Sequence, residues 1–152
     1  MREFSVPPAV TVGDAANLTD AVWTNAEETP ESVQFLRPAP TGLGGGWTEV
    51  TCREFRDQVV AVARGLVAAG ITPGARVGLM SRTRYEWTLF DYAIWAAGGV
   101  TVPIYETSSP EQIAWILADS GAVACLVETN THALALAGVR DRLPKLEQGW
   151  QL

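Results

Sequence analysis

Apolar positions along the chain change their period several times, and each change marks an element. Leu18, Ala21, Val22 and Ala26 recur at helical spacing, so a helix is expected from Asn17 or Thr19 to about Glu28, ended by Pro30. Two short runs, Ser32 to Arg37 and Trp47 to Val50, read as strands. They are joined by Pro38-Ala39-Pro40-Thr41-Gly42-Leu43-Gly44-Gly45-Gly46, a connection of hairpin type. Thr51-Cys52-Arg53-Glu54 has the form of a capping box, in which the threonine hydroxyl and the glutamate carboxylate satisfy each other's backbone N–H groups. Phe55, Val59, Val62, Ala63, Leu66 and Val67 then define the inward face of a long helix, with Gly70 as its left-handed stop.

Beyond Pro73-Gly74 the chain alternates regularly. Strands are expected at Arg76 to Met80, Val100 to Tyr105 and Ala122 to Val127, with a further one beginning at Gln148. Helices are expected at Tyr85 to Ala97, Ser109 to Ser120 and Asn130 to about Leu143. Ser109 is the cap of the middle one, with Pro110 at its first position, Gln112 completing a capping box and Gly121 closing it. The strands are apolar without alternation, which implies a parallel sheet buried on both faces. The expected class is α/β: a partial three-layer unit with a mostly parallel sheet, preceded by a helix and a β-hairpin. Residues 1–16, which carry Pro7 and Pro8, read as an extended arm, and residues 17–152 as one compact domain or part of a larger one.

The helix from Tyr85 to Ala97 is apolar around most of its circumference, with Glu86 and Asp91 its only charges. A helix of that kind is normally buried on several sides. A chain of 152 residues offers little to cover it, so the remainder of a larger domain or another subunit is expected against helix 85–97.

Charge narrows the partners. Seventeen acidic against eleven basic residues give a net charge of −6, the wrong sign for nucleic acid or an anionic membrane surface. No apolar run reaches 18 residues, so no membrane span is expected. The amino end lacks a signal-peptide core, and the sequence reads as cytoplasmic. Cys125 sits in an apolar run as a small core residue. Cys52 stands at a helix start, where a thiol pKa can fall, although nothing nearby supplies a base. His132 is the sole histidine, so no metal site is expected.

Three loops could carry chemistry. Gly42 to Gly46 resembles a phosphate loop in composition, but it joins two strands and no lysine follows, which favours a plain hairpin. Ser81-Arg82-Thr83-Arg84 and Tyr105-Glu106-Thr107-Ser108-Ser109 each leave a parallel strand and enter a helix, where open sheets collect ligands. Arg82 and Arg84 could pair with phosphate or with carboxylates of a neighbouring domain, and Tyr105, Thr107 and Ser108 could face a nucleotide or an acyl chain. The alternatives are structural: Ser81 or Thr83 caps a helix, and Tyr105 packs on Trp87 or Trp95. Glu106, Asp119, Glu111 and Asp91 form no evident acid/base pair.

Several segments, taken in order, resemble one family. Trp47 to Phe55 is similar to the first core motif of adenylate-forming (AMP-binding) enzymes, and Gly70-Ile71-Thr72-Pro73-Gly74-Ala75-Arg76-Val77 to the turn into their first parallel strand. Trp95 to Ser109, with Gly98-Gly99-Val100-Thr101-Val102-Pro103-Ile104-Tyr105 at its centre, resembles their second core motif. Met80 to Trp87, with Tyr105 to Ser109, points to the long-chain fatty-acid–CoA ligases. The resemblance implies a parent that forms an acyl-adenylate from ATP, Mg²⁺ and a fatty acid and passes the acyl group to CoA. It also implies that the phosphate loop, the magnesium-binding Glu, the ribose-binding Asp and the lysine of a mobile domain lie later in such chains. None has a counterpart before Leu152. The resemblance therefore assigns no catalytic residue, no metal site and no cofactor to these residues alone, and the chain by itself is expected to be inactive. A second reading is a stand-alone binding or assembly module with helix 85–97 as its interface. A third, a flavodoxin-like nucleotide binder, lacks a phosphate loop after the first parallel strand.

Overall fold

The computed structural model describes residues 4–13, 16–39 and 45–152. Residues 4–13 join no helix or strand and are exposed. The elements then follow as α1 (Asp20–Glu28), β1 (Val33–Pro38), β2 (Trp47–Thr51), α2 (Cys52–Ala68), β3 (Arg76–Met80), α3 (Tyr85–Ala96), β4 (Val100–Ile104), α4 (Pro110–Ser120), β5 (Ala124–Val127), α5 (Asn130–Gly138), a 3₁₀ turn (Arg140–Arg142) and β6 (Gln148–Gln151). β1 and β2 form the expected antiparallel hairpin, with Pro38 opposite Trp47. Gly42 to Gly44, the core of the glycine run, lie outside the described residues.

The main sheet is parallel throughout, in the order β4-β3-β5-β6. Alternate residues of each strand face opposite layers. Val77 of β3 and Ala124 of β5 pack with Ala63 and Leu66 of α2 and with Ala93 and Ile94 of α3. Met80, Cys125 and Val127 face the other way, against Ile113 and Leu117 of α4 and Leu136 of α5. Three layers result. A third cluster joins α1 and the hairpin to this frame through Val22, Val50, Phe55, Val59 and Leu89. Phe55 is fully buried, with ring centroids of Phe35 and Tyr92 at 4.7 and 5.6 Å; burial of one such ring is worth roughly 1.5–3 kcal/mol.

Local chemistry explains the element ends. Both capping boxes form: Glu54 N donates to Thr51 Oγ1 (3.3 Å) and Thr51 N to Glu54 Oε2 (2.8 Å). Ser109 and Gln112 do the same for α4. At the end of α3 the chain must turn tightly beneath Pro73. Gly98 has φ +79° there, and a Cβ on it would stand 3.3 Å from the Pro73 backbone, which accounts for a glycine at this position.

Several expectations require correction. Leu18 is 71% exposed and Ala21 is also exposed; α1 is short, and only Val22 and Ala26 turn inward. Val67 of α2 is exposed rather than inward. The last helix ends at Gly138, eight residues after Asn130, and gives way to the 3₁₀ turn. The expectation of an uncovered aromatic helix also changes. Tyr85, Leu89 and Tyr92 of α3 enter the cluster shared with the hairpin and α2, while Ala93, Ile94 and Ala97 enter the sheet core. Every large apolar side chain of α3 is buried or half-buried within this chain. The large exposed apolar groups lie elsewhere, among them Trp47, Tyr105, Trp115 and Leu134. A helix apolar all round signals burial on several sides, but the pattern does not say that the neighbours come from the same chain.

Candidate functional site

The sheet places its loops according to its winding. The connection from β3 to β4 runs through α3 on one face, and the return from β4 to β5 runs through α4 on the other. The direction of winding therefore reverses between β3 and β5, and in open α/β sheets ligands bind outside the carboxyl ends of strands at such a point. Ser81 to Arg84 leave β3 there, and Glu128 follows β5 directly, with its N–H donating to Met80 O at 3.1 Å.

Glu128 organises this crevice. Its side chain is only 3% exposed. Arg82 donates to Oε1 from Nη2 (2.9 Å) and Nε (3.2 Å), and its backbone N–H donates to Oε2 (2.9 Å). Arg84 adds Nη1 to Oε1 at 3.2 Å, and the Ser81 hydroxyl lies 3.3 Å from Oε2. The hydrogen bonds from Arg82 hold the Glu128 carboxyl well below the usual range, at about 2, and the same contact raises the pKa of Arg82. A buried carboxylate with two guanidiniums is a satisfied ion cluster, because removing one partner would strand the others.

Arg82 and Arg84 are thus brought together around a carboxylate of the same chain, not one of a neighbouring domain. Neither Ser81 nor Thr83 caps α3: its N-cap residue is Arg84, with no side-chain cap bond, and Ser81 is turned to Glu128. Glu128 was not among the sequence candidates. The available signal was an acidic residue immediately after an all-apolar strand, a place where a charge is either solvated or paired.

The second candidate loop is separate. Tyr105 is 82% exposed and does not pack as a core ring. It borders a depression of about 500 Å³ together with Ser81, Thr83, Trp87 and Pro103. Thr107 is exposed; Ser108 is half-buried and donates its N–H to Tyr105 O at 3.0 Å, closing the turn.

A larger cleft, of about 870 Å³, opens between the hairpin and the segment from Arg82 to Thr88. It is lined by Leu36, Arg37, Pro38 and Trp47 of the hairpin and by Arg82, Arg84, Tyr85, Glu86 and Glu128. The Arg37 guanidinium stands over the Tyr85 ring, 5.4 Å from its centroid. The Tyr85 hydroxyl donates to Gln58 Oε1 at 3.0 Å, and burial raises its pKa. Among the described residues no group of three His, Cys, Asp or Glu side chains could hold a metal ion, and no helix is long and apolar enough to cross a membrane. The acids at the strand ends do not form a magnesium-binding set, since Glu128 is committed to two arginines.

A wound parallel sheet with its loops gathered at a switch point defines an open α/β class of protein, and the comparisons narrow that class. Residues 22–150 match the AMP-binding enzyme family, and the chain belongs to it. Over all 152 residues it is 44% identical to the long-chain-fatty-acid–CoA ligase FadD15 of Mycobacterium bovis and 43% identical to that of Mycobacterium tuberculosis. It covers 25% of each, and the matching part is amino-terminal. The chain thus spans about a quarter of the curated relatives it matches. Among solved structures, a long-chain-fatty-acid–CoA ligase (FadD1) from Archaeoglobus fulgidus superposes with a TM-score of 0.80 at 18% identity, over 99% of this chain and 30% of that one. That likeness bears on the fold, and it agrees with the expected three-layer architecture.

Proposed function

We propose that this chain supplies the amino-terminal part of the large domain of an ATP-dependent long-chain fatty-acid–CoA ligase acting in the cytoplasm. The reaction would form an acyl-adenylate from fatty acid, ATP and Mg²⁺ and then pass the acyl group to CoA. The observation that carries the reading is the 44% identity to a long-chain-fatty-acid–CoA ligase along the full length of the chain. In this reading the 152 residues form scaffold and do not turn over alone. Adenylation needs positioned ligands for the phosphates and for the departing pyrophosphate. The two arginines at the switch point already share Glu128, and Arg84 is also paired with Glu86.

The test is fatty-acid-dependent release of AMP by the purified chain, with ATP, Mg²⁺, CoA and a long-chain fatty acid supplied. The expected result is no AMP above the protein-free background. Sustained AMP and acyl-CoA formation would overturn the scaffold reading.

A further inference from the structure

We propose that Trp87, Asp91 and Trp95, on the outer side of α3, form a receptor for an arginine side chain carried by the remainder of the parent domain. This rests on the chain being one portion of a longer family member, of which it covers 25%, and not on the ligase chemistry of that family.

Asp91 is a buried acid without a counter-charge. It is 8% exposed, yet among the described residues no ion pair includes its carboxylate. An aspartate is rarely so buried unless it is paired. The Thr101 hydroxyl of β4, on the same side of the sheet as Val77, stands beside Asp91 and softens the rise that burial gives its pKa. That hydroxyl supplies no charge, and its oxygen is buried outside ordinary hydrogen-bond geometry. The two arginines just before α3 are committed elsewhere, Arg82 to Glu128 and Arg84 to Glu86 and Glu128. A cation for Asp91 therefore comes from outside these elements.

The flanks of Asp91 select a guanidinium. Trp87 and Trp95 stand four residues to either side of it in α3, on one side of the helix, and both indoles are half-buried. A flat guanidinium stacks on an indole and meets a carboxylate with two parallel N–H bonds, whereas an ammonium is a compact, strongly hydrated point charge. The receptor lies beside β4, the edge strand of the sheet, and that edge is poorly suited to receiving a further strand. Val100 donates its N–H inward to Ala75 O at 2.8 Å, so the outward positions of β4 are Thr101 and Pro103, and Pro103 has no N–H. A segment covering this border engages it through side chains. Depressions of about 500 and 440 Å³, beside Trp87 and Trp95 respectively, leave room for such a segment.

The experiment compares Asp91→Asn with wild type in two settings: the 152-residue chain, and a chimera in which the chain replaces the matching amino-terminal part of FadD15 from Mycobacterium tuberculosis. The readout is hydrogen exchange of α3 and β4 peptides. In the chain alone the substitution removes a buried, unpaired charge, so exchange should be unchanged or slower. In the chimera it strands the arginine, so exchange should become about tenfold faster. Unchanged or slower exchange in both settings would overturn the proposal, because Asp91 would then have no partner in the parent. Faster exchange in both would overturn it too, by making Asp91 a clip to Thr101 within the chain.

A second measurement needs no chimera. The ¹⁵N-labelled chain is titrated with N-acetyl-arginine amide and with its lysine and citrulline counterparts, reading the indole N–H resonances of Trp87 and Trp95. The arginine probe should shift both along one saturation curve, about threefold tighter than lysine and about tenfold tighter than citrulline. Asp91→Asn should abolish the response. Equal response to the three probes, or a response that survives Asp91→Asn, would overturn the proposal. So would a wild-type chain that dimerises where Asp91→Asn stays monomeric, since the arginine would then belong to a second copy. Exchange and binding are read, not turnover, so failure here is distinct from failure of the ligase reading.

Discussion

Replacing Glu128 by glutamine removes one charge and keeps the shape, so it isolates what the buried carboxylate contributes. Its carboxyl is depressed from 4.5 to about 2, first by the Arg82 side-chain hydrogen bonds. At about 1.4 kcal/mol per pH unit that gap corresponds to at most about 3 kcal/mol at neutral pH. The Arg82 side chain is 69% exposed, so solvent screening reduces the figure to about 1–2 kcal/mol. Because the folded pKa is the lower one, the contribution is fully present above about pH 5 and is lost as pH falls towards 2. Urea unfolding of wild type and Glu128→Gln at pH 7 and pH 3 measures this directly. Wild type should be the more stable by about 1–2 kcal/mol at pH 7, and more than half of that difference should be gone at pH 3. A variant as stable as wild type at pH 7, or a difference that does not change with pH, would refute the reasoning.

Other perturbations follow from packing. At Gly78 of β3 a Cβ would meet Leu117 Cδ2 at 2.7 Å and Cys125 Sγ at 3.0 Å, so Gly78→Ala should destabilise by about 1–3 kcal/mol in urea unfolding; an unchanged midpoint would contradict the tight β3–α4 contact. Burial pushes the Cys125 thiol up to about 12, so a maleimide at pH 8 should modify it only after unfolding, as read by peptide mapping; rapid labelling of native Cys125 would contradict its place in the core. Thr51→Ala removes the acceptor for Glu54 N and should cost about 1 kcal/mol, seen as a lower thermal midpoint; an unchanged midpoint would show that the α2 capping box contributes nothing measurable.

Much of the architecture was legible because local rules and the global fold agree here. Two capping boxes, a left-handed stop at Gly70 (φ +95°) and all-apolar strands defined α2, α4 and the parallel sheet before any tertiary information. Errors arose where the answer depended on neighbours distant in sequence. Val67 and Leu18 are apolar at helical spacing yet face water, because hydrophobic period does not fix how wide a stripe the rest of the chain covers. Tyr105 looked like a packing residue and is exposed. The site was half legible: the loop carrying Arg82 and Arg84 could be placed at the strand ends by topology alone. Its partner Glu128 lies 46 residues from Arg82, and only the pairing of β3 with β5 brings the two together.

The most direct test of the account joins the chain to the remainder of a relative. In a chimera, these 152 residues replace the matching amino-terminal quarter of the Mycobacterium tuberculosis long-chain-fatty-acid–CoA ligase FadD15. If the chain is the opening part of a ligase domain, the soluble, folded chimera forms long-chain acyl-CoA from fatty acid, ATP and CoA. A folded chimera that makes none, beside an active FadD15 control, would contradict the central claim.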